Sequence, residues 1–182
     1  MSDRAPGGFD VYGIRPENRE AVGSVLEDCH INAGGAVVDR FTGRYLFLSN
    51  FYVAPIVIKG IVYASGEHAF NAAKTVDQSE RQWVRSAPSP AEAKRRGRKV
   101  TLRAGWDETV RFRAMRSVLH AKFDDPEMRE RLLATGRAYL VEGNVWHDQV
   151  WGDCRCAQHR SIPGENHLGR MLMEQRDATS GH

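Results

Sequence analysis

The chain has 182 residues, 41% hydrophobic and 27% charged, which excludes an intrinsically disordered chain and suits one globular domain able to bury a core without disulfides or metal. Its 26 Lys and Arg against 23 Asp and Glu leave a net charge of +3, too little for global charge to mark a nucleic-acid binder. A polar start, the lack of any run near the roughly 20 apolar residues that span a bilayer, and an odd set of cysteines (Cys29, Cys154, Cys156) point to a cytoplasmic protein with no membrane contact.

Residues 1–16 carry Pro6, Gly7, Gly8, Gly13 and Pro16 with little periodicity and read as a mobile lead-in. Over 17–30, Ala21, Val22, Val25 and Leu26 recur at helical spacing and predict a short amphipathic helix, broken by Gly34 and Gly35. After Phe41 comes the aromatic run YLFLSNFY, then two β-branched stretches flanking Lys59-Gly60, so the middle of the chain is expected to open with strands and a hairpin. Ser65 can cap a helix through EHAFNAAKTV, and Pro90 suits the first turn of another that ends at Gly97. Val110, Met115, Val118, Leu119 and Phe123 mark the clearest amphipathic helix. Pro126 opens a helix ending near Gly136, AYLVEG reads as a short strand, and NHLGRMLMEQR as the last helix. The strands neither alternate regularly with helices nor suffice for a barrel, so the pattern predicts an α+β, predominantly helical single domain with a few short strands.

Glu67 falls in the first turn behind Ser65, where helix-end charge favours an ionised carboxylate, and Asn71 and Lys74 share its face. First-turn acids are common, so position alone gives Glu67 an ordinary electrostatic role. In LVEGNVWHDQVWGDCR, Glu142, Asp148 and Asp153 lie close to Trp146, His147 and Trp151, just after a predicted strand. Each Trp, Trp106 included, either anchors its surroundings on the core, the ordinary outcome, or offers a face on which a base stacks. Cys154, Cys156 and His159 form an incomplete set for structural zinc, which takes about four ligands with commonly two to four residues between paired cysteines, so no metal is expected and activity should survive a chelator. Neither a dinucleotide-binding glycine loop nor a Walker pattern occurs, and no cofactor is expected. The basic run Lys94, Arg95, Arg96, Arg98, Lys99, with Arg103 beyond it, reads as a solvated helix face from which one or two cations could hold a phosphate.

In order, FTGRYLFLSNFY, SGEHAFNAAK, AKRRGRKV, LHAKF, LLATG, VEGNVWHDQVWG and ENHLGRMLM resemble the NADAR family, also called YbiA-like, from about Phe41 to Arg176. The resemblance implies a mostly helical catalytic domain over 41–176, a lead-in over 1–40 and a tail over 177–182. It also implies a metal-independent N-glycosidase. Family members hydrolyse ribosylamino-pyrimidine phosphates of early riboflavin synthesis, or remove ADP-ribose from modified guanine in nucleic acids. The implied partner is therefore a small phosphoribosyl or ADP-ribosyl substrate, or ADP-ribosylated nucleic acid. Carried across by motif, the site residues are Glu67, then Glu142, Asp148, Trp151 and Gly152, with Phe47, Ser49, Asn50 and Phe51 from the FLSNF motif. The sequence departs from many relatives at Asn71, where they have Gln, and at CRCAQHR, where they are Gly-rich; both bear on substrate choice.

Breaking a C–N glycosidic bond builds positive charge on the ribose, which Glu67 is expected to stabilise while orienting water. Asp148 is expected to protonate the leaving base, with Glu142 as second candidate. Trp151 or Phe51 would stack on the base, with Trp106 and Asn71 as further contacts, and Lys74, Arg98 or Arg103 would meet phosphate. Two other classes fit the same residues: a nucleotide-binding module without chemistry, and an interaction protein docking through residues 17–30.

Overall fold

The structure is a computed structural model and describes residues 30–32 and 35–180. The expected lead-in and helix over 17–30 lie outside the described residues, apart from His30, which begins a strand. That strand, β1 (His30–Asn32), pairs antiparallel with β2 (Gly35–Val38). β2 in turn runs parallel to β5 (Tyr139–Leu140), in the register Val37 to Tyr139 and Val38 to Leu140. This sheet therefore takes in residues ahead of Phe41, where the domain was expected to begin.

The aromatic run departs from expectation: Gly43–Leu48 is a 3-10 helix, and Leu46, Phe47 and Leu48 are all buried. Three successive buried side chains cannot share one face of a strand, whereas a tight coil can press them together into the core. The hairpin forms as expected from β3 (Val53–Ile58) and β4 (Ile61–Ser65), turning at Lys59 (φ 51°) and Gly60 (φ 76°). Two consecutive positive φ angles match the twist of the flanking strands, the conformation that favours Gly in a two-residue hairpin turn.

β4 runs directly into α1 (Gly66–Ala72), every residue of which is buried. The Ser65 hydroxyl accepts the His68 amide at 3.4 Å and caps the helix. α2 (Gln78–Arg85) follows; α3 (Pro90–Gly97) begins behind Ser89, whose hydroxyl accepts the Glu92 amide at 3.2 Å. A π-type turn at Trp106–Val110 leads into α4 (Arg111–Phe123), which buries Met115, Val118, Leu119 and Phe123 as its spacing predicts. α5 (Pro126–Leu133) is capped by Asp125, and α6 (His167–Ser180) runs past Arg176. β6 (Gly143–Asn144) and β7 (Asp153–Cys154) form a short parallel pair.

α1 lies at the centre, packed against α2, α3, α4 and the hairpin. The main core joins the 3-10 segment, α4, α5, α6 and Leu140, while a smaller cluster of Ala72, Val84, Ala87, Ala93 and Val100 holds α2 and α3 to α1. The chain is thus an α+β, mostly helical domain in which a wholly buried helix carries Glu67.

Candidate active site

The strand-to-helix junction fixes Glu67. Its amide donates to the Asn50 carbonyl at 2.9 Å, and a Cβ on Gly66 would stand 2.7 Å from Asn50 Oδ1, so the junction closes only around glycine. His68, the next residue, is structural: Nε2 lies 3.1 Å from the Ala87 carbonyl, which only accepts, so Nε2 carries the proton. Nδ1 then takes the Ser65 hydroxyl at 2.8 Å, and burial holds the ring pKa below its usual value.

Glu67 is 7% exposed. Burial dominates and holds its carboxyl pKa above the usual value, with Asp148 adding to the rise, while Lys94, the hydrogen bond from Asn71 and Lys74 restrain it. Asn71 Nδ2 donates to Glu67 Oε1 at 2.9 Å and to the Glu67 carbonyl at 2.8 Å. Behind Asn71 stands Gly97, where a Cβ would fall 2.2 Å from the amide oxygen. Glycine at the end of α3 therefore leaves the room in which Asn71 can hold the carboxylate.

Glu142, between β5 and β6, is gripped through its backbone: its amide donates to Asn166 Oδ1 at 3.1 Å and its carbonyl accepts from the Asp153 amide at 3.0 Å. Part of the residue reaches the surface, yet protein surrounds the carboxyl, and burial pushes its pKa to about 8, reinforced by Asp148 and Glu67 and opposed by Lys94 and Lys122. A Cβ on Gly152 would meet the Glu142 carbonyl at 2.1 Å, so this glycine acts by letting two backbone segments touch.

Asp148 turns its own loop. Oδ1 accepts the amides of Val150 (3.1 Å) and Trp151 (2.8 Å), while Asn144 grips its backbone from both sides, at 3.2 and 2.7 Å.

Cations and aromatic rings surround the carboxylates. Lys94 Nζ lies 5.4 Å over the Phe51 ring and Lys74 Nζ 5.9 Å over Phe70. Burial lowers the Lys74 pKa, countered by Glu67 and reinforced by Lys94 and Arg98. The Arg103 amide donates to the Lys74 carbonyl at 2.8 Å, and Arg98 is exposed. Trp151, half-buried, meets Phe70 edge-on at 5.4 Å and Phe112 at 5.5 Å. Phe112 and His167 line a cleft of ≈ 290 Å³ that includes none of the three carboxylates.

Several expected contacts fall elsewhere. Trp106, 5% exposed, packs 5.3 Å from Phe70, and Phe47, 3% exposed, meets Phe123 edge-on at 6.5 Å, so both are core residues with no free face for a base. Ser49 is used structurally: its hydroxyl accepts the Phe51 amide at 3.2 Å and its carbonyl accepts Lys122 Nζ at 2.8 Å. Asn50 is buried, donating to Met115 Sδ at 3.1 Å.

Two residues escaped the sequence reading. Lys94 was one cation among a basic run, yet among those cations it acts most strongly on Glu67. Lys122 is 1% exposed, and burial, with Arg131 adding to it, brings its pKa to about 7. Its signal was available: it continues the stripe Met115, Val118, Leu119 by three residues, a position where lysine is out of place.

Ligand spacing predicts no metal site, yet the fold brings four side chains of ligand type together. His147, Cys154, Cys156 and His159 bring one ligand atom each to within 4.8 Å of one another. His147 lies too far ahead of the cysteines for spacing to reveal it, and a left-handed turn at its φ of 70° returns it to them.

The chain is similar to known proteins over most of its length. The NADAR domain family model matches residues 39–179. N-glycosidase YbiA of Escherichia coli is 37% identical over 165 residues, covering 89% of this chain and 96% of that protein. N-glycosidase Npun_R5314 of Nostoc punctiforme is 36% identical over 139 residues, covering 73% of this chain and 85% of its own. The NMR structure of E. coli YbiA superposes with a TM-score of 0.67 at 33% identity, covering 91% of this chain and 93% of that one.

Proposed function

This chain belongs to the NADAR domain family and, like the relatives it matches, is an N-glycosidase; we propose that the bond it hydrolyses joins a phosphorylated ribose to a nitrogenous base. The observation that carries the reading is a pair of carboxyl groups in one site that act on each other and have unlike partners. Burial raises the pKa of both, but Asn71, Lys94 and Lys74 restrain the rise at Glu67, whereas Glu142 reaches about 8 and is protonated at neutral pH. Such unlike surroundings suit the two halves of a glycoside hydrolysis.

Glu67 stabilises the positive charge that grows at the anomeric carbon and takes a proton from the attacking water. Glu142 gives its proton to the base nitrogen as the C–N electron pair leaves with it. Asp148, the first candidate for that donor by sequence, spends Oδ1 on two loop amides, so it is a positioning residue that sets the Trp151 loop and helps keep Glu142 protonated. Phe51, under Lys94, and Trp151, in the Asp148 loop, offer rings for the base, and Lys74, Lys94, Arg98 and Arg103 offer charges for phosphate.

Glu92 pairs with Arg95 at 2.7 Å and Arg96 at 2.8 Å, which removes two cations from the basic run. The remainder suits the single phosphate of a ribosylamino-pyrimidine phosphate better than the many phosphates of a nucleic-acid strand. A substrate panel tests this, with released ribose phosphate or ADP-ribose measured directly. Turnover of the phosphorylated ribosylamino-pyrimidine, and much weaker turnover of its unphosphorylated counterpart, is expected. Turnover confined to ADP-ribosylated guanine in nucleic acid would replace the substrate, and hydrolysis of no ribosyl compound would overturn the reading.

A further inference from the structure

The segment CRCAQHR, which the hydrolytic reading leaves unused, holds a cluster of ligand atoms. His147 Nδ1 and His159 Nδ1 stand 3.2 Å apart, and Cys156 Sγ lies 3.4 Å from the first and 3.3 Å from the second. The Cys154 sulfur joins them within 4.8 Å. Zinc bonds of about 2.0–2.1 Å to nitrogen and about 2.3 Å to sulfur give tetrahedral edges of about 3.3 Å between nitrogens and about 3.5 Å between nitrogen and sulfur. The three edges among His147, His159 and Cys156 match that figure, and the Cys154 sulfur lies no farther than 4.8 Å from them.

Hydrogen bonds alone satisfy the cluster poorly. A neutral imidazole has a single N–H, and two Nδ1 atoms and a thiol that all face one another compete for the same protons. A cation at their centre satisfies every lone pair at once.

The backbone is arranged around the same point. β7 sets Cys154 beside β6, and the Cys154 amide donates to Gln149 Oε1 at 2.7 Å. The Cys156 carbonyl accepts the amides of His159 (3.0 Å) and Arg160 (2.9 Å), a turn that folds His159 over Cys156. Two residues separate Cys156 from His159, a spacing common among paired zinc ligands. His147 reaches the others only through its left-handed backbone, φ 70°, which side-chain-bearing residues rarely adopt. An Arg155 to Asp39 ion pair at 3.0 Å ties the cluster to the end of β2.

We propose that His147, Cys154, Cys156 and His159 bind one zinc ion in a closed, tetrahedral structural site that staples the loop carrying Asp148 and Trp151 to the β6–β7 pair. Two thiolates and two imidazoles select zinc among the common divalent ions. All four positions are filled by protein, so the metal meets no substrate and contributes no chemistry to hydrolysis. Binding deprotonates both thiols and releases their protons to solvent. The site stands apart from the catalytic assignment, and its test reads metal and stability.

The full chain, purified under reducing conditions, loaded with zinc and dialysed, is expected to hold about one equivalent by elemental analysis. Cobalt(II) in its place should give the intense visible bands of a tetrahedral ion and a thiolate charge-transfer band. Cys156→Ser and His159→Ala, both at positions not fully buried, should each lower zinc content roughly tenfold or more and abolish the rise in Tm that zinc gives the metal-free wild type. Circular dichroism of each variant, matched to the metal-free wild type, shows whether it has folded; should one fail, the metal-free wild type titrated with zinc carries the same Tm readout. Failure of the reduced wild type to retain zinc, a cobalt spectrum without thiolate bands, or full zinc content in both variants would overturn the site.

Discussion

Glu67 and Glu142 carry the same functional group in two surroundings, and the difference sets their expected behaviour. Glu67→Gln keeps the size and the Asn71 contact but removes the charge that opposes a cationic transition state. Turnover should fall by about 10²–10³-fold, with the fold intact by circular dichroism. A variant turning over like wild type would make Glu67 structural. With Glu142 as the proposed donor, acting in its protonated form, kcat should fall as pH rises through about 8, where the proton is lost. Glu142→Gln cannot give up a proton; its residual activity, down by about 10²–10⁴-fold, should lack that alkaline limb. A pH–rate profile that keeps the limb in the variant assigns it to another group, Lys122 being the obvious one at about 7.

The end of α3 decides how firmly Asn71 holds Glu67. Gly97→Ala drives a methyl to 2.2 Å from the Asn71 amide oxygen, so either the amide or the helix must move. In an exposed helix Ala is the better residue by about 1 kcal/mol; here a loss of Tm and a fall in kcat are expected from the displaced Asn71, with a rise in KM as well because α3 also carries Lys94. An unchanged kcat would show that Asn71 can turn aside freely. The helix starts and the hairpin turn were largely legible: Ser65, Pro90 and Pro126 mark the helix starts by local chemistry, and Lys59-Gly60 marks the turn. The 3-10 helix was not legible, because Leu46 to Leu48 are apolar without a period that separates a coil from a strand. Nor was the approach of Glu142 and Lys94 to Glu67, which depends on packing between segments far apart in the chain. Spacing shows which residues share a helix face, and nothing in it shows which strand end arrives beside that face.

Glu142 and Lys122 bias the stability of the whole protein in opposite directions along the pH axis. Glu142, raised from 4.5 to about 8, is protonated when folded and ionised when unfolded between those values, so its contribution to stability falls as pH rises from about 4.5 to 8. Lys122, lowered from 10.5 to about 7, is neutral when folded and charged when unfolded above 7, so its contribution rises from pH 7 toward 10.5. Relative to wild type, Glu142→Gln should gain more Tm at pH 8 than at pH 5. Lys122→Met, which also forfeits the bond to the Ser49 carbonyl, should fare better at pH 6 than at pH 10. Each group shifts the other, so the double variant should depart from additivity near pH 7 to 8. Thermal melts of the four proteins across that range check both slopes, and parallel curves would show that neither group titrates with folding.

The parallel pairing of β2 with β5 joins Val37 to Tyr139 across most of the domain. Contacts of such sequence separation form late, because a long loop must close before they return any free energy. On the ribosome, Glu67 and its helix emerge with their hairpin, a local unit, well before Glu142 is synthesised. Glu142 can be locked in place only when Asp153 and Asn166 have followed it, since both bond its backbone. On the proposed roles, the nascent chain therefore holds only half of its carboxyl pair until Asn166 has left the exit tunnel.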